Sequence, residues 1–229
     1  MTFGAVYEEP PLAWGVGRVV VDDRITPWPV SEADIADEAA SLAPHLSALG
    51  LGEGELVLIV SLLSQAIHVH PFERAAGALG ALYSSADRTP FDAYRSASLV
   101  RQLRPAVVMG IDDRVLDGLE EAGRDPVEVF GGVRAVLTAD DGAHARLMAA
   151  GLTPRRWLTL GPTSAIQPLE DDALAYDASR WLVEVDGDPA GRAGELLLTS
   201  RVPRLTPCRR FRTGRHGTVP EPGRLRVAS

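Results

Sequence analysis

Two histidines and a glutamate lie in one short segment and could perform acid–base chemistry. The segment contains His68, His70 and Glu73, and a histidine beside a carboxylate can act as a general base whose ring the carboxylate orients. The same side chains could supply part of a metal site, but a third ligand is not identified. Alternatively, one histidine packs inside and the other faces solvent. We name His70 and Glu73 as candidate catalytic residues and predict no metal site.

A group of arginines near the end of the chain is a candidate anion-binding site, because the protein as a whole has a net charge of −8. Such a group could hold the phosphates of coenzyme A or a carboxylate. Alternation along a strand would instead divide the side chains between two faces. The single cysteine, Cys208, precedes them and is expected to be buried and unreactive. The arginines are Arg209, Arg210, Arg212 and Arg215.

The composition excludes several classes of protein. The acidic, well-mixed charge argues against nucleic acid and anionic membranes as partners. The chain has no apolar run of about 18 residues, which a transmembrane helix would need. Its first residues carry Glu8 and Glu9 and lack the basic start of a signal peptide. One cysteine cannot form an internal disulfide, so we expect a cytoplasmic protein.

Lysine and asparagine are both absent, and all 23 basic residues are arginine. Both missing types use A-rich codons, which indicates a GC-rich genome of the actinobacterial kind. The absence also has chemical consequences. A Schiff-base lysine, a phosphate-loop lysine and a lysine general base are all excluded within this sequence.

Strand and helix patterns alternate about five times through the first two thirds of the chain. Ser31 begins a capping-box pattern for a helix that runs to about Gly50. The apolar run at residues 55–63 predicts a buried, central parallel strand. Pro71 fits the first position of a helix that continues to Gly80. The alternation predicts an α/β fold: an open, mostly parallel sheet with helices on both faces.

The pattern changes after about residue 165, where short strands separated by Gly and Pro follow one another. We therefore predict two domains, an α/β core at residues 1–165 and a small β-rich subdomain at residues 166–229. The predicted strands of the second part are residues 181–185, 195–199, 209–212 and 224–227.

Several motifs resemble, in the right order, those of phenylacetate-coenzyme A ligase and its relatives in the AMP-forming acyl-CoA synthetase superfamily. Gly194-Glu195-Leu196 is similar to a G-E-L strand, and Arg212-Thr213-Gly214-Arg215 to the R-T-G-D turn that binds the ribose of ATP. Leu160-Gly161-Pro162-Thr163-Ser164 is similar to Y-G-x-T-E, which contacts adenine. Further similarity at residues 51–57, 70–82, 104–110 and 132–138 extends the resemblance over roughly residues 16–220.

The resemblance implies two sites. The first is an acyl pocket, and its implied lining residues are Leu62, Ser64, Ile67 and Phe72. The second is a vestigial nucleotide site, and its implied residues are Gly161, Pro162, Thr163, Ser164, Arg212 and Arg215. We expect no resident cofactor. The resemblance does allow a coenzyme A thioester as a bound molecule.

The departures from the family pattern fall on the nucleotide contacts. Leu160 and Ser164 replace a tyrosine and a glutamate, and Arg215 replaces the ribose-binding aspartate. Residues 22–29, where the family has a glycine-rich phosphate loop, begin with Asp22 and Asp23 and contain no glycine. The family's catalytic lysine has no counterpart. We expect that ATP-dependent adenylation has been lost.

Three functions remain open at this point. The chain could be a degenerate ligase-like protein that binds an acyl or aryl molecule or a partner protein. It could be an enzyme of another class that uses His70 and Glu73 as acid–base residues in biosynthesis, or one part of a split AMP-forming ligase. The resemblance covers only part of the ligase sheet, and 45% of the chain is apolar. We therefore expect that a homodimer or a hetero-complex covers the surface that the missing segments would cover.

Overall fold

The secondary structure alternates as predicted in the first part of the chain and is nearly all strand in the last. The computed structural model describes residues 12–22, 24–187 and 192–228. The helices are α1 Glu32–Ala48, α2 Ala66–Ala78, α3 Ala93–Leu103, α4 Asp113–Glu121, α5 Pro126–Phe130 and α6 Asp141–Ala149. The strands are β1 Ala13–Val21, β2 Arg24–Ser31, β3 Leu56–Ser61, β4 Leu82–Asp87, β5 Val107–Ile111, β6 Ala135–Thr138, β7 Arg155–Leu160, β8 Thr163–Ile166, β9 Leu174–Ala175, β10 Trp181–Val185, β11 Gly194–Ser200, β12 Phe211–Glu221 and β13 Arg224–Val227.

Eleven of these strands form one sheet, in the order β10-β11-β12-β13-β9-β8-β7-β6-β5-β3-β4. Strands β4, β3, β5, β6 and β7 run parallel. From β7 onward the pairing is antiparallel. Strand β7 therefore joins the two halves, because it pairs in parallel with β6 and antiparallel with β8. The predicted division at residue 165 falls inside β8, and the two-domain description stays a prediction.

Helices cover both faces of the parallel half, which confirms the predicted fold class. Alternate residues of β3 face opposite sides: Val57 and Ile59 pack with α1 and α2, whereas Leu58 and Val60 pack with α3, α4 and α6. A third buried cluster joins β1 and β2 to the antiparallel strands. None of the described helices is long and apolar enough to cross a membrane.

The predicted capping box of α1 is confirmed. Ser31 Oγ accepts a hydrogen bond of 3.1 Å from the backbone N–H of Asp34, whose carboxylate accepts one of 2.8 Å from Ser31 N–H. The aspartates after β5 and β6 also cap helices. Asp112 accepts from Val115 N–H at 3.1 Å, and Asp140 from Ala143 N–H at 2.7 Å.

The start of α2 corrects one prediction. The helix begins at Ala66, and Pro71 lies inside it. Proline has no N–H, so the carbonyl of Ile67 loses its usual helical donor, and the flanking apolar packing maintains the helix. His68 and His70 are consequently helical residues, separated by two positions and directed to different sides of α2.

The strand order corrects one further expectation. Strand β3 lies second from the β4 edge rather than at the centre of the sheet. Residues 24–29 belong to β2, which pairs antiparallel with β1 to form a two-stranded hairpin outside the main sheet. The valine and isoleucine content of β1 and β2 favours this pairing, whereas the resemblance implies a loop at this place in the chain.

Candidate functional site

A small polar cavity, here called the cleft, lies beside the carboxyl end of β7, where ligands of open α/β sheets bind. The cleft has a volume of about 100 Å³. It is enclosed by the β1–β2 hairpin, the start of α2, the β7–β8 turn and strand β12. Its polar lining residues are Arg18, Gln65, His68, Thr159, Thr213 and Arg215, and none of its described lining residues carries a carboxylate.

Two glycines allow the hairpin to close over the cleft. A Cβ on Gly17 of β1 would lie 2.1 Å from the side chain of Ile67, so β1 can approach α2 only with glycine there. Gly214 of β12 has a φ of +68°, and a Cβ there would lie 2.9 Å from Val21. The hairpin is thus held between α2 and β12, and Arg18 is carried to the cleft.

His68 is the buried titratable group of the cleft. Its side chain is 6% exposed, and Nδ1 has no hydrogen-bond partner among the described residues. Burial and, second, the positive charge of Arg88 lower the pKa of His68 to about 4. The imidazole is therefore neutral at pH 7, and it can donate one hydrogen bond and accept another.

Arg88 adds a buried positive charge behind His68. Its side chain is 7% exposed, and Nε lies 3.5 Å from Asp112 Oδ2. Arg114 contacts the same carboxylate at 2.8 Å. Burial lowers the pKa of Arg88, whereas the neighbouring Asp112 raises it. The single carboxylate of Asp112 is thus shared between two guanidinium groups, and Asp140 is a further negative charge that acts on Arg88.

The predicted catalytic pair is formed, but it lies on another side of α2. His70 Nδ1 is 2.6 Å from Glu73 Oε2, and the side chains are 40% and 18% exposed. The indole of Trp14 packs edge-on against the imidazole, with ring centroids 4.8 Å apart. The carboxylate can orient the ring as a general base requires. The pair is half-open to solvent under Trp14, and its catalytic role stays a prediction.

The four residues implied for an acyl pocket lie in different surroundings. Phe72 is fully buried and packs on Trp157 with ring centroids 5.5 Å apart. Ile67 is buried in a different cluster, with the hairpin. Leu62 is half-buried and Ser64 is exposed. Their roles in binding an acyl group stay predictions.

The implied nucleotide-site residues lie in three different surroundings, of which the exposed one, that of Arg212, is described below. Gly161 and Arg215 line the cleft. Pro162, Thr163 and Ser164 are buried in the β7–β8 turn and β8, and Thr163 Oγ1 donates to Glu38 Oε2 at 2.7 Å. The nucleotide role of this whole set stays a prediction.

The four arginines at positions 209, 210, 212 and 215 also lie in different surroundings. This is the alternative in which side chains alternate between the two faces of a strand. Arg212 is exposed and forms ion pairs with Glu195 and Asp186. Arg210 pairs with Glu184 and Asp186. Arg215 alone among the four reaches the cleft. Cys208 is buried, as predicted, and burial raises the pKa of its thiol to about 11.

Sequence reasoning missed Arg18, Arg88 and Glu38. Arg18 lies in an ordinary strand pattern, although one arginine within an apolar run is a signal of a polar contact. Arg88 follows β4 at the carboxyl edge of the sheet, a position that could have marked it. Glu38 occurs at a core position of α1, where a carboxylate needs a partner. In the described part of the chain, no group of three or more His, Cys, Asp or Glu side chains could hold a metal ion.

Comparison with known proteins identifies the fold. No protein-family model matches the sequence, and no curated protein does. Among solved structures, 2-hydroxyisobutyryl-CoA ligase with bound 2-HIB-AMP and CoA is similar with a TM-score of 0.74 and 18% identity, over 94% of this chain and 56% of the ligase. ATP-bound MatB from Rhodopseudomonas palustris is similar with a TM-score of 0.66 and 14% identity, over 99% of this chain and 50% of MatB.

A third similar structure is the N-terminal subdomain of NpsA from Klebsiella oxytoca, in complex with 3-hydroxyanthranilyl-AMSN. It has a TM-score of 0.64 and 14% identity, over 93% of this chain and 61% of the subdomain chain. The chain thus has the fold of AMP-forming acyl-CoA ligases and spans about half the length of the similar structures. The phenylacetate subtype of the resemblance is not distinguished by these structures.

Proposed function

We propose that this chain binds a short organic acid in the cleft and does not by itself adenylate that acid with ATP. The observation that carries the proposal is the composition of the cleft: Arg18, Arg215 and a buried, neutral His68, with no carboxylate among the described lining residues. Two guanidinium groups with no carboxylate in the described lining favour an anionic ligand in a protein of net charge −8. The carboxylates of Asp22 and Glu195 lie beside Gly214, outside that lining.

The chemistry of the three side chains suits a carboxylate. A guanidinium offers paired N–H donors that match the two carboxylate oxygens. His68 can add one neutral N–H donor, because its pKa of about 4 keeps it uncharged at pH 7. Arg88 behind it adds a favourable potential without contacting the ligand. The bound acid would thereby supply the hydrogen-bond partner that the buried Nδ1 of His68 lacks among the described residues.

The size of the cleft limits the ligand. A volume of about 100 Å³ corresponds to about three water molecules, which accommodates a carboxylate and a small alkyl group. A short acyl acid is therefore favoured over an aryl acid while the hairpin stays closed. The 2-hydroxyisobutyryl group, after which the similar 2-hydroxyisobutyryl-CoA ligase is named, is of this short kind.

The proposed loss of adenylation is supported by residues of the chain itself. The segment expected to cradle phosphates is a β-hairpin, and Asp22 occupies its turn. Leu160 is fully buried, and Ser164 is a short hydroxyl at the position of the family's glutamate. Arg215 presents only hydrogen-bond donors where ribose would need an acceptor. These features leave binding of the acid as the retained part of the ligase reaction.

The test combines binding with turnover. Calorimetric titration should detect 2-hydroxyisobutyrate, with Arg215→Gln weakening binding at least about tenfold, the loss of one charge-assisted pair. Arg209→Gln is the matched control, because Arg209 is exposed and does not line the cleft. No pyrophosphate exchange is expected with ATP, magnesium and the same acids. Absence of acid binding would contradict the proposed role of the cleft. Robust pyrophosphate exchange by the purified chain would contradict the proposed loss of adenylation.

A second candidate function is acid–base catalysis by His70 and Glu73, favoured by their 2.6 Å contact beneath Trp14. His70→Ala would then abolish turnover of an acyl substrate and leave the melting temperature nearly unchanged. A fall in melting temperature without any change in ligand affinity or turnover would assign the pair a structural role.

A further inference from the structure

A second cavity lies at the opposite end of the parallel strands from the cleft. It has a volume of about 490 Å³ and is formed by the last turns of α3, by Arg124 between α4 and α5, by α5 itself, and by the residues just before β5 and β6. Since Pro105 and Val133 precede β5 and β6, this cavity lies at the amino ends of those strands. It shares no lining residue with the cleft.

Three arginines line this cavity without carboxylate partners. Arg101 and Arg104 form no ion pair or side-chain hydrogen bond with the described residues, and Arg124 lies over the ring of Tyr94 at 5.4 Å. Elsewhere on the same face the pattern differs, since Arg146 contacts three carboxylates. Arg101 and Arg104 are exposed to solvent and Arg124 is half-buried. In an acidic protein, three guanidinium groups around one cavity with a single carboxylate in its lining favour an anionic ligand.

The backbone at Arg104 supports a specific role for its side chain. Arg104 ends α3 with φ +48° and ψ +58°, the left-handed conformation that a C-terminal glycine usually adopts. A residue with a Cβ is strained in this conformation, so glycine would suit the helix end better. An arginine therefore occupies a position that the local backbone preference disfavours, which directs attention to its guanidinium.

The remaining walls are mostly apolar, and Ser98 adds a hydroxyl. Val100, Pro105, Val129 and Val133 contribute to the lining, and Glu128 is its one carboxylate. Three guanidinium groups against one carboxylate leave a formal charge of +2. A phosphate monoester carries about −1.5 to −2 at pH 7, and the volume falls within the range of about 300–1,000 Å³ that is usual for small-molecule sites.

We propose that this cavity is a binding site for a phosphate monoester attached to an apolar group. Arg101, Arg104 and Arg124 hold the phosphate oxygens, and the valines contact the apolar group. Glu128 lowers the affinity by repulsion. The site is separate from the cleft, so the proposal does not depend on organic-acid binding there.

The probe is 1-naphthyl phosphate, titrated by calorimetry into the full chain at low ionic strength. Arg104→Gly should weaken binding about tenfold or more, while the melting temperature stays equal or rises, because glycine relieves the left-handed strain. Glu128→Gln should strengthen binding several-fold. Arg95→Gln is the control: it lies on the same helix, pairs with Asp92 and does not line the cavity, so affinity should not change. If Arg104→Gly fails to fold, Arg101→Gln replaces it.

Both parts of the probe are expected to matter. 1-Naphthol, which lacks the phosphate, and inorganic phosphate, which lacks the apolar group, should each bind far more weakly. An excess of 2-hydroxyisobutyrate should leave the affinity for 1-naphthyl phosphate unchanged. The proposal is overturned if 1-naphthyl phosphate does not bind, if Arg104→Gly and Arg101→Gln bind it as tightly as the parent, or if the acid competes with it.

Discussion

The carboxylate of Glu38 in α1 accepts a hydrogen bond of 2.8 Å from the indole Nε1 of Trp181 in β10, 143 positions later. Its other oxygen accepts from Thr163 at 2.7 Å, and Arg204 Nη2 donates to the first oxygen at 2.7 Å. The guanidinium of Arg204 also stacks over the Trp181 ring at 4.7 Å. One buried carboxylate thus connects a helix of the parallel half to three elements of the antiparallel half.

Removing this carboxylate should be costly. Glu38→Ala should lower the free energy of unfolding by about 3–5 kcal/mol, because it leaves Arg204 as a buried charge with fewer partners. Glu32→Ala is the control: Glu32 is on the same helix and pairs with Arg74 on the surface, so a loss below about 1 kcal/mol is expected. Urea denaturation of both variants gives the comparison. Equal effects would contradict the linking role of Glu38.

His68 should make stability depend on pH. Its folded pKa of about 4 lies below the unfolded value of about 6.5, so the unfolded chain binds the proton first. Stability from the neutral ring is present above about pH 6.5 and falls as pH drops towards 4, by up to about 3 kcal/mol. His68→Gln should remove this loss. Denaturation at pH 7 and pH 5 tests it, and an identical pH dependence in both proteins would contradict it.

The closed hairpin predicts a close contact between Gly17 and Ile67. Gly17→Ala should destabilise the protein by about 1–3 kcal/mol through overpacking and weaken acid binding, because β1 carries Arg18. In the double variant Gly17→Ala with Ile67→Ala, the two losses should be less than additive. Gly15→Ala is the control, since nothing lies within 4 Å of a Cβ there. Additive losses would show that the hairpin does not press on α2.

The exposed edge of the sheet leads us to propose self-association. Strand β4 pairs with β3 alone among the described strands, and Leu82 and Tyr83 on it are 58% and 51% exposed. Antiparallel pairing with β4 of a second copy would satisfy the free backbone groups of both. Sedimentation at micromolar concentration should show a dimer that Tyr83→Lys dissociates. Met148→Lys, at an exposed position of α6, should not dissociate it. A monomer in all three proteins would contradict this.

The sequence predicted those parts of the fold that depend on local patterns. The capping box at Ser31, the aspartate caps and the apolar parallel strands were all recognisable from neighbouring residues. Pro71 was misplaced because its fixed φ suits a first helical turn, whereas packing around α2 tolerates it inside the helix. The position of β3 depends on long-range strand order, which periodicity does not determine.

The candidate site was less predictable, because its residues come from four separate segments. Arg18, His68, Thr159 and Arg215 meet only after the hairpin folds over α2 and β12 approaches β7. His70 and Glu73 are adjacent along a helix and were found at once, for the same reason that local pairs are easy to recognise. The buried state of His68 was among the alternatives, but no local pattern distinguished it from His70.

The most direct test of organic-acid binding is the imidazole titration of His68 by NMR, with and without 2-hydroxyisobutyrate. The chain has five histidines, and the spectrum of His68→Gln assigns the signal. Without the acid, His68 should titrate near pH 4, and a bound carboxylate should stabilise the imidazolium and raise this pKa. In Arg215→Gln, at least about tenfold more acid should be needed for the same change. An acid that leaves the pKa and chemical shift of His68 unaltered at saturating concentration would contradict the account.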